Sequence, residues 1–144
     1  MKQTLTKSTA LLTLAMIALA VVTGCTTPKK DKSLEETLSQ YEAMVRWSEW
    51  DGAVGFVAPE YLEKHPITRL DVDRLRLFRV TSYTVRSSTP IDGGLGLVQV
   101  VELRMYNKNR AVEQTVMDQQ EWRWDELGER WMLHSGLPDV TRRY

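Results

Sequence analysis

Gln114, Asp118 and Gln120 share one parity with Val116 and Trp122 along a stretch that reads as extended, which sets a carboxyl group between two amides on one side of a strand. An aspartate held in an aromatic-walled hollow is pushed toward protonation by loss of hydration. That is the chemistry of a general acid or base working near neutral pH. His134, on the following strand, would complete such a set, so a ligand cavity would comprise Gln114, Asp118, Gln120, Trp122 and His134. The simpler expectation is that this side is the solvated outer face, with tryptophan lying along the sheet. Met132 and His134 alternate against Trp131 and Leu133, and no Tyr/Asp/His set recurs at a diagnostic spacing.

Other chemistry-bearing residues reduce to structure. Asp92-Gly93-Gly94-Leu95-Gly96 lacks the Lys-Ser/Thr of a phosphate loop and precedes a strand where a phosphate cradle precedes a helix, so it is a turn. Asp71 and Asp73 have no further ligands at calcium-loop spacing. The serines lack a nucleophile-elbow context, and His65, beside Lys64 and Pro66, reads as a loop residue. Cys25 is the only cysteine, which rules out an internal disulfide and a cysteine-based metal site. No catalytic residue, metal site or cofactor is expected.

Four strands would carry the candidate residues. From Val72 onward β-branched and aromatic residues dominate and the period falls toward two. The first strand is expected over Leu75 to Ser87, with a break or bulge near Phe78 where the apolar phase moves. Ser88 to Gly94 turns the chain, Leu95 to Tyr106 forms the second strand, and Asn107 to Arg110 a hairpin connection. Ala111 to Trp124 forms the third strand, Asp125 to Glu129 a turn, and Arg130 to Ser135 the fourth. Short connections imply an antiparallel meander.

Helices precede the strands. Ser33-Leu34-Glu35-Glu36 matches a capping box, and Leu34, Leu38, Tyr41, Met44 and Val45 form one apolar stripe. Trp50 falls almost opposite that stripe, so the helix ends near Glu49 or its other face is covered too. Asp51 suits the cap of a shorter helix through Ala53, Val54, Phe56 and Val57, stopped by Pro59, and Glu60 to Pro66 adds a further turn. Helices followed by a meander give an α+β domain with the sheet folded over the helices.

A long helix, the short segment Trp50-Asp51-Gly52-Ala53-Val54-Gly55-Phe56-Val57-Ala58-Pro59 and long antiparallel strands resemble the NTF2-like group of the cystatin-like folds. The ending from Gln120-Glu121-Trp122-Arg123-Trp124-Asp125 through Arg130 to Pro138 is similar to the hairpin that closes the cone there. The resemblance implies a curved antiparallel sheet packed with N-terminal helices. It leaves function open, since the superfold hosts enzymes of the ketosteroid isomerase and dehydratase kind, binding modules and assembly factors alike. The tryptophans Trp47, Trp50, Trp122, Trp124 and Trp131 are expected as core or cone-closing residues, with an aromatic pocket as the alternative.

Ahead of the domain, Lys2 and Lys7 precede an apolar run from Ala10 to Val22 that is short for a membrane span, and Val22-Thr23-Gly24-Cys25 ends it. This resembles the lipobox of bacterial lipoproteins, which implies cleavage before Cys25 and its acylation. A plain secretory signal with Cys25 as a spare thiol is the alternative. Removing residues 1–24 leaves 120, one domain's worth, with 17 basic side chains against 19 acidic. That balance argues against a nucleic-acid partner. The expected organisation is a signal peptide over 1–24, a tether over 25–33 whose Lys29, Lys30 and Lys32 are solvated, an NTF2-like domain over 34–138 and a tail over 139–144. Thr26 after the cysteine, where aspartate resembles an inner-membrane retention signal, points to the outer membrane. The expected function is a lipid-anchored, periplasm-facing binding or assembly module with an envelope protein as partner. A small-ligand carrier or isomerase-like enzyme using the cone interior, and homodimerisation through the sheet, are the alternatives.

Overall fold

The computed structural model describes residues 29–141, so the apolar segment and Cys25 lie outside the described residues. Helix α1 spans Lys29–Trp47. It starts four residues before Ser33, whose carbonyl accepts the Thr37 hydroxyl at 2.8 Å from inside the helix. The Ser33 capping box is therefore not formed, and residues 29–33 of the expected tether are helical. No glycine or proline between Lys29 and Ser33 opposes propagation back from the packed part of the helix. The predicted stripe holds: Tyr41 and Val45 are fully buried, with Leu34, Leu38 and Met44 partly buried against them.

The helix ends in a Schellman motif. Ser48 takes the left-handed position at φ 60, its amide donating to the Val45 carbonyl at 3.0 Å, while the Glu49 amide reaches the Met44 carbonyl at 2.8 Å. This turn decides the fate of two tryptophans. Trp47 on the last helical turn is 76% exposed, which corrects its expected burial, whereas Trp50, past the reversal, is 1% exposed at the head of α2 (Trp50–Val54). Asp51 is not the cap of α2 but lies in its first turn and pairs with Arg76. Pro59 does not end that helix; it opens α3 (Pro59–Lys64), where a proline's missing N–H costs nothing.

The region read as the start of the first strand is helical over α4 (Arg69–Arg76). Thr68 and Asp71 form a reciprocal capping box, the Asp71 amide donating to Thr68 Oγ1 at 3.3 Å and the Thr68 amide to Asp71 Oδ2 at 2.9 Å. The phase change near Phe78 is thus a helix-to-strand boundary. Strand β1 runs Phe78–Ile91, β2 Gly96–Asn107, β3 Glu113–Asp125 and β4 Arg130–Leu133. They form one antiparallel sheet in the order β1-β2-β3-β4, the expected meander, with β1 bulged between Val80 and Ser82 and between Val85 and Ser87.

α1 lies across one face of the sheet and touches β1 and β4. Phe56–Ala58 adds to the far side of β4 through a parallel bridge from Val57 to Leu133, with the Leu133 amide on the Phe56 carbonyl at 2.7 Å and the Ala58 amide on the Leu133 carbonyl at 2.8 Å. Between helices and sheet, Tyr41, Val45, Trp50, Val101, Leu103, Met105, Val116, Trp122 and Leu133 make an apolar core, each at most 1% exposed. The result is an α+β domain with its helices on one side of a four-stranded sheet.

Candidate functional site

The parity of β3 sends Gln114, Val116, Asp118, Gln120 and Trp122 to the helix-covered side. The solvated-outer-face expectation is thereby corrected: Asp118 is 7% exposed and Gln120 fully buried. The alternation Val116-Asp118-Gln120-Trp122 is set by the large apolar residues that bracket the polar pair. A one-residue slip would expose Trp122 along with Val116.

Gln120 is the hub. Its Nε2 donates to Asp118 Oδ2 at 2.8 Å and to the Tyr83 hydroxyl at 3.1 Å, and its Oε1 accepts from Trp122 Nε1 at 3.3 Å. Tyr83 reaches the hub because the bulge after Val80 resets β1 so that Tyr83 pairs with Leu103, whose side chain faces inward. Gln99 stands opposite Gln120 on β2 and is 5% exposed. α1 contributes Tyr41, packed edge-on against Trp122 at a centroid distance of 5.1 Å and against Phe56 at 5.6 Å. The Tyr41 hydroxyl and Gln99 Oε1 are buried with no hydrogen-bond partner among the described residues.

Electrostatics follow from burial. Loss of hydration pushes the Asp118 carboxyl up to about 6, opposed by the Gln120 hydrogen bond. The same cause raises both phenols, Tyr41 well above its ordinary value, with the Asp118 charge adding to each. The cluster is therefore an acid that changes charge just below neutrality, beside two phenols that stay protonated.

The other predicted members separate from it. Gln114 lies on the same face but farther along β3, its Nε2 on the Val140 carbonyl at 3.2 Å. His134 extends the β3–β4 pairing, its amide on the Glu121 carbonyl at 2.7 Å. With Pro59, Glu60, Arg123, Trp124 and Met132 it lines a surface groove of about 390 Å³. It is not brought to Asp118, because it follows β4 on the parity opposite to Leu133 and Trp131 and joins this groove instead. Tyr41, Tyr83 and Gln99 were missed as site residues. The period-two run Leu97, Gln99, Val101 was the available signal for Gln99; nothing local marks Tyr83, since a bulge sets its facing.

Among the described residues no group of three or more His, Cys, Asp or Glu side chains is arranged to hold a metal ion, and no helix is long and apolar enough to cross a membrane. No family model, curated protein or solved structure matches the chain.

Proposed function

We propose that the chain is a bacterial envelope lipoprotein, acylated at Cys25 and facing the periplasm from the outer membrane, whose domain is NTF2-like and serves as a non-catalytic binding or assembly module. The anchoring half rests on Val22-Thr23-Gly24-Cys25 after the apolar run. The NTF2-like half is supported by a long helix laid across one face of a long-stranded antiparallel meander. The observation that carries the non-catalytic half is that side chains fill the space between sheet and helices: Tyr41, Leu103, Gln120 and Trp122 are all fully buried against one another or their neighbours. The interior acid is bonded to its own scaffold, and His134, just past the end of β4, lines a separate groove.

The test is metabolic labelling with a fatty acid, followed by membrane fractionation. The native chain should take up label and sediment with membranes, while Cys25→Ala should do neither; label retained in Cys25→Ala refutes the anchor. Crosslinking in intact cells should then recover a defined envelope protein.

A second function, a carrier or isomerase-like enzyme, is favoured by one observation: Asp118 is a buried acid beside the unpartnered Tyr41 hydroxyl and Gln99 Oε1. It requires a small molecule that copurifies with the native protein in native mass spectrometry and is lost in Asp118→Asn. Retention of the same mass spectrum in both chains removes it.

A further inference from the structure

Two neighbouring turns at one end of the sheet each carry an exposed leucine: Leu127, 99% exposed between β3 and β4, and Leu95, 45% exposed between β1 and β2. The turns are tied together. The Trp124 amide donates to the Leu95 carbonyl at 2.9 Å, and Arg123 Nη1 donates to Asp92 Oδ2 at 3.0 Å. Each turn is also closed on itself, the Leu127 amide on Asp125 Oδ1 at 3.0 Å and the Leu95 amide on the Asp92 carbonyl at 3.2 Å. We propose that this end of the sheet rests on the lipid surface that holds the anchor, with Leu95 and Leu127 entering the headgroup layer of a zwitterionic bilayer.

The course of α1 says what covers the leucines. Its last turn lies at the opposite end of the sheet, where Arg46 and Trp47 line a groove with Arg79 and Val80, and Arg79 is in register with Tyr106 and so with Glu113 at the first residue of β3. Tyr41, farther back along the helix, packs on Trp122 near the last residue of β3. Followed toward its start, α1 therefore runs to the end that bears the two turns, touching β4 on the way. About 18 Å of helix separates Tyr41 from Lys29, against about 10 Å of strand from Trp122 to Asp125, so the first turn of α1 reaches that end.

The attachment point is close by. With residues 29–33 helical, only three residues separate Cys25 from Lys29, and four extended steps of chain span at most about 14 Å. α1 is fixed on the domain by Tyr41 and Val45, both fully buried. The acylated residue and the two leucine turns are thus held at one end of the molecule, and the contact rests on the anchoring proposal above. Charge at this end is balanced: residues 29–32, 92 and 123–130 together hold five basic and five acidic side chains. An end with no net formal charge suits a zwitterionic surface and gains nothing from an anionic one.

Acyl chains retain the protein at the membrane by themselves, so the leucines set orientation. The strands then stand up from the bilayer. The far end, with Trp47 and the Asn107–Arg110 connection, is held about 40 Å out, where a partner in the envelope can reach it.

The full-length protein, purified from membranes, is labelled with a polarity-sensitive dye through Leu127→Cys, Leu95→Cys or, at the far end, Asn109→Cys, and placed in phosphatidylcholine vesicles with and without a nitroxide-bearing lipid. Flotation of the vesicles reports the anchor, and quenching reports the contact. Dye at Leu127 and Leu95 should be quenched about twofold or more relative to dye at Asn109. In the unsubstituted chain, amide exchange in the two turns should slow by about threefold on vesicles relative to Cys25→Ala in solution. Floating protein with neither quenching nor slowed exchange overturns the contact and leaves the anchor standing. Equal quenching at all three positions overturns the end-on arrangement. A blue-shifted dye that the nitroxide lipid does not quench means that protein covers the turns, which overturns the contact as well. Protein that does not float removes the anchor, and the contact with it.

Discussion

Asp118 and Gln120 lie two residues apart on β3, both turned toward the helices, with the Gln120 amide 2.8 Å from the Asp118 carboxylate. Burial and this one hydrogen bond pull the acid in opposite directions, and burial wins, since its pKa stands at about 6. With burial outweighing its one hydrogen bond, this carboxylate costs the fold stability whenever it is charged.

Asp118→Asn should therefore stabilise the protein at neutral pH. With the folded pKa at about 6 and the ordinary value at 3.8, the folded state holds the proton more tightly than the unfolded chain. Native stability from this group is then full below about pH 4 and lost as pH rises through 6, a cost of roughly 3 kcal/mol at pH 7.5. Asparagine carries no charge and offers Oδ1 to Gln120. Urea unfolding should show the variant ahead of the native protein at pH 7.5 and level with it at pH 4; parallel pH profiles would contradict this account.

Gln120→Leu should do the reverse. It strips Asp118, Tyr83 and Trp122 of their shared partner, which leaves buried polar groups unpaired at a cost of about 2–4 kcal/mol. Without the opposing hydrogen bond the acid's pKa climbs further, so the fall in stability, which still begins near pH 4, should extend to higher pH. Chemical unfolding between pH 5 and 8 reads both effects.

Gly136→Ala tests the packing of α3 on the C-terminal segment. Gly136 has a φ of 76, and a Cβ there would sit 3.0 Å from the Tyr61 ring, whose hydroxyl donates to the Ser135 carbonyl. Strain and crowding together should cost about 1–3 kcal/mol and lower the thermal midpoint by several degrees.

Thr68→Ala should cost about 1 kcal/mol by removing the cap of α4. The Asp71 carboxyl, held below its usual range chiefly by the Thr68 hydroxyl, should titrate nearer to that range. Carboxyl carbon shifts followed by NMR against pH would register the change.

Much of this was legible in the sequence, for identifiable reasons. The stripe from Leu34 to Val45 and the alternation from Gln114 to Trp122 are periodic, and periodicity survives folding. Thr68-Arg69-Leu70-Asp71 ahead of Val72 was also a helix start in plain view, hidden by the β-branched residues that follow. Trp47 and Trp50 illustrate the opposite case: their facing depends on one left-handed residue, Ser48, at a position sequence alone gives no strong reason to single out. For the candidate site, the polar run on β3 could be seen but its side could not, because parity leaves open which face the helices cover.

The addition of Phe56–Ala58 to β4 bears on aggregation as well as packing. An exposed strand edge is a template for amyloid-like growth, and here β4 is already paired by a short segment that ends at Pro59. The opposite edge, β1, is interrupted by two bulges and by Pro90. Neither edge of the sheet therefore offers another backbone an uninterrupted strand to extend.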